Sequence, residues 1–304
     1  MICRIAGIMK IDMFRRIGIV GSGRVARALA LGLKRASHEP PLIWGRSPER
    51  LIEARSQVDG IDTTTTLGAL TEACDAIAIA VADDAVAGIV TALAIAASTT
   101  EASPFVFHVS GRSGAALLAP LRDAGWLTAA IHPAMTFTGN PPGEVARMAG
   151  ARFAITGSSA DAAVQARQIV ALLGGVAVEI PEDRRALYHA ALCHASNHLV
   201  TLIADAAQAL ERAGVDAPRA LLAPLVQAAL NNSLDRGFDA LSGPLLRGDV
   251  QTIRDHVAAL AAHDPDLVPA YRAMAIATID RLEQSGARPD AALRRALDSG
   301  GAVP

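Results

Sequence analysis

The sequence predicts an α/β protein in two parts: an N-terminal doubly wound parallel sheet over residues 15–182, followed by an all-α domain over residues 183–304. Three observations carry this expectation. From Arg15 to about Glu182 short apolar runs alternate with amphipathic segments, the pattern of repeated βα units. The runs are continuously apolar rather than alternating, as in strands buried on both faces. Beyond Pro181 no further strand candidate occurs, and the segments read as helix.

The strand candidates in order are RIGIV, PLIWG, AIAIAV, FVFHV, LTAAIH, FAITG and VAVEI. Between them lie helical patterns at Val25–Arg35, Asp84–Ala97, Gly114–Ala124 and Ala160–Leu173. A long helix over Asp183–Ala213 stops at Gly214, a residue suited to the left-handed position just past a helix end. Asp216 is expected to cap a second helix starting at Ala217-Pro218. Further helices are expected at about Val250–Ala262, Pro265–Gln284 and Pro289–Ala296, with an irregular link over Gly237–Asp249.

A chain of 304 residues is longer than one hydrophobic core usually supports, which agrees with two domains. Hydrophobic residues make up 51% of the chain and aromatics only 3%, so Ala, Leu, Val and Ile must fill the core. A formal net charge of −2 gives no global attraction to nucleic acid or anionic lipid, and both partner classes are set aside. Cys3, Cys74 and Cys193 are odd in number and widely spaced, which reads as a reducing compartment without a disulfide framework. Residues 1–14 read as an extension; Lys10 and Asp12 break its apolar stretch and no small-residue cleavage site follows, so a signal peptide is not expected. Translation from Met13 is an alternative start. With no membrane span expected, the expected location is cytoplasmic.

The segment Gly21-Ser22-Gly23-Arg24-Val25-Ala26 follows RRIGIV directly and opens a helix, the context that a GxGxxA turn needs to hold a pyrophosphate. Gly21 permits the tight turn, Gly23 lets a phosphate approach the backbone, and Ala26 lets helix and strand pack closely. The free N–H groups and dipole of the helix start then favour an anion. At the end of the next strand an NAD site would offer Asp or Glu; here stand Arg46 and Ser47, whose fork and helix N-terminus suit a 2′-phosphate. NADP is therefore the expected cofactor. Val81, Ala82 and Asp83 follow a later strand and complete the expected cofactor set, while Asp84 reads as a helix N-cap.

Three segments could supply chemistry. His108-Val109-Ser110-Gly111 and Ile131-His132-Pro133 end two strands at the carboxyl edge of the sheet, where such folds bind ligands. On the long helix, His189, Cys193 and Asn197 fall at i, i+4 and i+8, on one face. Reducing a ketone or imine by hydride transfer leaves a group that needs a proton, and a histidine with pKa near 6.5 delivers one well. His189 is the candidate donor, Asn197 and Ser110 candidate hydrogen-bonding partners of the substrate, and Arg247 a candidate fork for a carboxylate. Arg247 with Asp249 could equally form a structural ion pair. His194 and His198 have the spacing of metal ligands but lack a Glu between them, so no metal is expected. Cys193 has nothing basic beside it in the sequence reading and is taken as a small packing residue.

Over nearly its whole ordered length the chain resembles a bacterial two-domain family in which a Rossmann-like domain precedes a helical domain long of unknown function. The resemblance is carried by the glycine loop, by HVSG at 108–111, and by His132-Pro133 followed by Phe137. YHAA at 188–191 with Ser196-Asn197, and Ser242–Asp249 followed by His256, complete it. It implies membership among the 6-phosphogluconate dehydrogenase-like reductases, some of which look like alternative ketopantoate reductases. Better-known ketopantoate reductases place Lys, Asn and Asn four apart where this chain has His189, Cys193 and Asn197, and a Glu where it has His256. The resemblance also implies a homodimer through the helical domain and a small carboxylate substrate such as ketopantoate. A reductase of cyclic imines akin to pyrroline-5-carboxylate reductase is the alternative, and a nucleotide-sensing protein without turnover is another.

Overall fold

The computed structural model describes residues 13–97 and 102–298; most of the extension over residues 1–14, and Cys3 with it, lies outside the described residues. Packing divides the chain into two units, Met1–Cys193 and His194–Pro304.

The first unit alternates strand and helix. In order they are β1 (Ile17–Val20), α1 (Arg24–Leu33), β2 (Leu42–Trp44), α2 (Pro48–Gln57), β3 (Asp62–Thr64), α3 (Gly68–Ala73), β4 (Ala76–Ile79) and α4 (Asp83–Ala97). There follow β5 (Phe105–His108), α5 (Ala119–Asp123), β6 (Thr128–Pro133), α6 (Pro141–Met148), β7 (Arg152–Gly157), α7 (Ala160–Leu172) and β8 (Val176–Glu179). One eight-stranded sheet has the order β3-β2-β1-β4-β5-β6-β7-β8. Its first six strands are parallel; β7 then pairs antiparallel with β6, with His132 opposite Ala154, and β8 is parallel to β7.

The strands are buried on both faces because neighbouring residues serve opposite cores. Ile17, Ile19, Ala76, Ala78 and Phe107 pack with Leu29, Met148 and Ile169 from α1, α6 and α7. Ile77, Ile79 and Val106 pack with Leu70, Val90 and Leu121 from α3, α4 and α5. The period of two along β4 thus sends Ala to one layer and Ile to the other. The sequence reading lacks β3, whose Asp-Thr-Thr is polar and only partly buried; it forms as an edge strand through pairing with β2.

The long helix α8 (Arg185–Arg212) begins after a single 3-10 turn at Glu182–Arg184, and the unit boundary falls inside it. The second unit continues with α9 (Pro218–Arg236), the one-turn α10 (Pro244–Arg247), α11 (Val250–His263), α12 (Val268–Gln284) and α13 (Ala291–Asp298). The link expected to be irregular therefore holds a 3-10 turn and a helical turn, and the last helix starts two residues after Pro289. Asp216 does not cap α9: the cap position is Ala217, with no side-chain bond, and Pro218 opens the helix, where no N–H needs a partner. The core here is small, with Ile253, Val257, Ile279, Leu293 and Leu297 joining α11, α12 and α13. Among the described residues no helix is long and apolar enough to cross a membrane.

Candidate functional site

β1 continues to β2 on one side of the sheet, while β4 resumes on the other side of β1. The carboxyl ends of β1 and β4 therefore open a crevice, the usual ligand position in such sheets. A cleft of about 930 Å³ occupies it. Gly21, Ser22, Gly23, Arg24 and Val25 line one side, Val81 and Ala82 the other, and Arg46 and Ser47 the end beyond β2. All of these were expected cofactor residues.

The glycine loop has the form its sequence demands. Gly21 sits at φ +115°, where a side chain is strained, and a Cβ there would overlap the Ala80 carbonyl and lie 3.0 Å from its carbon. Gly23 is the N-cap of α1 and makes no side-chain cap bond, so the first amides of the helix have no capping side chain. Around Gly23 a Cβ would meet nothing within 4 Å, so the space over the helix start is open.

At the far end, Ser47 caps α2, accepting from the Arg50 amide at 3.3 Å and donating to Glu49 at 2.5 Å. That bond holds the Glu49 carboxyl below its usual range. Arg50, in the first turn of α2, lines the cleft beside Arg46. The sequence reading missed Arg50, although a position one turn after Arg46, at a helix start, signals a shared phosphate site. It also missed Trp44 and, on α4, Ala85, Gly88 and Ile89.

Asp83 and Asp84 play other parts. Both lie inside the first turn of α4, so Asp84 is not the N-cap, and both pair with Arg112 at 3.3 Å. Asp83 does not line the cleft. Phe137 does, on a loop held by Glu144: this buried carboxylate accepts from the amides of Gly139 (2.7 Å) and Asn140 (3.3 Å).

Val109 carries the cleft wall towards a second cluster, still within the first unit. His132 Nδ1 lies 2.9 Å from the Tyr188 hydroxyl, and its ring meets that of His189 edge-on with centroids 5.9 Å apart. Gly111 makes this possible: a Cβ there would overlap His189 and come within 3.0 Å of His132 Nε2. Cys193 Sγ is 3.7 Å from His189 Nε2, so an imidazole does stand beside the thiol; one helical turn brings i and i+4 together. Beneath them Arg185 is buried, donating from Nε to Ser113 O at 3.0 Å and from Nη1 to Ala154 O at 3.4 Å, with its guanidinium 6.0 Å from the Tyr188 ring centre.

At two histidines the surroundings disfavour the cation. Burial, then the Arg185 charge, pushes His132 down to about 4. Burial does the same to His108, also to about 4, although its bond to Gly114 works in the other direction. The Ser110 amide donates to His108 Nδ1 at 3.1 Å, so the proton of the neutral ring is on Nε2, facing Gly114 O at 2.9 Å. Ser110 Oγ is buried without a partner.

The first unit thus brings His132 and His189 together and holds Ser110 next to Gly111, the residue packed against both. The other expected groups belong to the second unit. Asn197 is exposed on α8, Arg247 is paired with Asp249 at 2.7 Å, and His256 Nδ1 is 2.9 Å from the Tyr271 hydroxyl. His194 and His198 are exposed with their Nδ1 atoms 3.0 Å apart.

A dinucleotide-type crevice next to a half-buried histidine pair defines a protein of the Rossmann-like class, and the comparisons agree. Residues 8–133 match the Rossmann-like domain family, and residues 151–278 match a domain of unknown function, DUF2520; the chain joins one of each. No curated protein matches the sequence. A Bacteroides fragilis protein provisionally described as an NADP oxidoreductase superposes with a TM-score of 0.71 at 20% identity, over 89% of this chain and 99% of its own. A reductive aminase from Aspergillus terreus, in complex with NADPH and ethyl-5-oxohexanoate, gives 0.63 at 18% identity over 93% and 98%. A pyrroline-5-carboxylate reductase from Coxiella burnetii gives 0.54 at 16% identity over 88% and 97%. These likenesses establish a shared fold.

Proposed function

We propose that the protein is an NADPH-dependent oxidoreductase that reduces a small keto or imino acid. The observation that carries this reading is the proximity, within one unit, of a glycine-loop crevice lined by Arg46, Arg50 and Val109 to the His132–His189 pair, against which Gly111, two residues after Val109, is packed. The residues fit the cofactor: an uncapped helix start beneath open space takes the pyrophosphate, and two guanidiniums with the Ser47-capped helix start take a 2′-phosphate. Val81, Ala82 and Val109 provide the wall for the nicotinamide end.

When bound, NADPH supplies the hydride. The chain supplies the rest: His189 gives a proton to the reduced oxygen or nitrogen, and His132 donates a hydrogen bond. Ser110 is a further candidate partner of the substrate within the first unit, while Asn197, Arg247 and His256 are candidates that belong to the second unit. The keto-acid form, with ketopantoate as its leading substrate, is supported by the motif resemblance. The imine form is supported by the named activities of the pyrroline reductase and the reductive aminase.

We further propose a homodimer through the second unit. There α9 buries only Pro218 and leaves Leu221, Leu225 and Leu234 56–76% exposed, and Val200 on α8 is 69% exposed. These large exposed apolar side chains are what supports a covering partner copy.

A screen of 2-keto acids and cyclic imines with NADPH separates the two substrate forms. His189→Ala should lower kcat by about 10²-fold or more with NADPH affinity unchanged. NADPH binding with no turnover of any substrate, and no effect of His189→Ala, would leave the sensor reading in its place.

A further inference from the structure

We infer that Tyr188 is a positioning residue: its hydroxyl donates to His132 Nδ1 and so fixes His132 as the tautomer with its proton on Nε2, presenting a neutral donor beside Gly111. This rests on the reductase reading for its consequence in catalysis, but the tautomer itself is a property of the protein alone.

The 2.9 Å contact between Tyr188 Oη and His132 Nδ1 could run in either direction. Two observations decide it. A phenol is a stronger acid than a neutral imidazole N–H, and an imidazole nitrogen is the better acceptor, so O–H to N is the favoured pairing. Arg185 reinforces that direction. Its buried guanidinium is fastened to Ser113 O and Ala154 O, and it sits 6.0 Å from the Tyr188 ring centre. A fixed positive charge there makes the hydroxyl a better donor, and it also opposes protonation of His132.

The groups facing His132 are Tyr188, His189 and Arg185 from α8, His108 from β5 and Asp83 from α4. Asp83 alone among them favours the cation, and it is paired with Arg112. The ring is therefore neutral at neutral pH. With Nδ1 committed to Tyr188, the remaining proton is on Nε2, which has no hydrogen-bond partner among the described residues. Nε2 lies 3.0 Å from the position of a Cβ on Gly111. Only a glycine leaves that side of the ring clear.

The consequence is a division of labour that residue type alone does not reveal. Two histidines meet edge-on, yet His132 is held as a hydrogen-bond donor that keeps its proton, while His189 is left to transfer one. A neutral imidazole polarises a carbonyl or imine without competing as an acid.

The test is long-range ¹H–¹⁵N correlation of histidine-labelled full-length protein, with His132→Gln assigning the His132 signals among the eight histidines. The expected result is a protonated Nε2 and an unprotonated Nδ1, unchanged from pH 8 to about pH 5.5. In Tyr188→Phe, which keeps the ring and loses the donor, the two tautomers should mix. His132 with its proton on Nδ1, or an unaltered tautomer in Tyr188→Phe, would overturn the inference.

Kinetics give the second arm: Tyr188→Phe should lower kcat by about 10-fold with NADPH affinity unchanged, whereas an unchanged kcat would refute the positioning role. If no substrate is turned over, the reductase reading fails on its own, and the spectra still decide the tautomer.

Discussion

His108, fully buried, and His132, half-buried, should make the first unit lose stability in acid over a definite window. His108 is fully buried, with Nδ1 accepting from Ser110 and Nε2 donating to Gly114, and its pKa is pushed down to about 4. In the unfolded chain the value returns to about 6.5. A folded pKa below the unfolded one means that stability is full above pH 6.5 and falls as the pH drops from about 6.5 to about 4, because the unfolded chain binds the proton first. At pH 5 the unfolded site is almost fully protonated and the folded site about nine-tenths neutral, a loss of about 2 kcal/mol for one histidine. His132, also at about 4, adds a similar amount, for a total of about 4 kcal/mol between pH 7.5 and pH 5. That is a large part of the 5–15 kcal/mol typical of a folded domain. Urea unfolding followed by tryptophan fluorescence isolates the effect, since Trp44 and Trp126 both lie in the first unit. His108→Gln should start less stable at pH 7.5 but lose only about half as much on acidification. A wild-type stability flat to within about 0.5 kcal/mol over that range, or a variant with the full wild-type slope, would refute the reasoning.

Other consequences concern the cleft and the second unit. Arg46 and Arg50 are exposed, so each phosphate contact is worth about 1 kcal/mol and the double change to Ala should weaken NADPH binding by about 30-fold or more while sparing NADH; equal loss of both in a fluorescence titration would contradict the 2′-phosphate assignment. If the proposed dimer forms, Leu225→Asp with Leu234→Asp should give a folded monomer in sedimentation at micromolar concentration, and a wild-type monomer would dispose of that proposal altogether. Gly111→Ala should part the His132 and His189 rings and cut kcat by at least 10-fold, with NADPH affinity kept because Val109, not Gly111, lines the cleft; a fully active variant would show that the rings need not meet.

What was legible in the sequence was whatever local chemistry fixes. The glycine loop announces itself because a strand, two glycines and a helix start are consecutive, and the doubly wound core because β4's Ala and Ile residues are apolar towards both layers. β3 was hidden because a polar edge strand owes its form to its neighbour rather than to its own residues. The antiparallel turn at β7 was hidden for a related reason: FAITG reads as a buried strand whichever way it runs. Arg247 illustrates the converse. Its charge suggested a carboxylate partner, and it has one in Asp249 two residues away, a competitor that sequence spacing makes available but cannot weigh.

The histidine cluster shows how far the candidate chemistry depends on packing that no motif records. His189 and Cys193 were placed on one face by helical spacing, but what surrounds His189 comes from elsewhere: His132 from the end of β6 and Gly111 from the turn after β5, while Arg185, one helical turn earlier on α8, acts on Tyr188 and His132. Arg185 links them, because the carbonyls that hold it, Ser113 O and Ala154 O, belong to the turn after β5 and to the strand opposite His132. Ala154 is available to Arg185 only because β7 runs antiparallel to β6 and sets that residue beside His132. The one reversal in the sheet therefore does more than end the parallel run: it anchors a charge that, after burial, favours the neutral form of His132, and so bears on the proposed distinction between a histidine that holds its proton and one that gives it up.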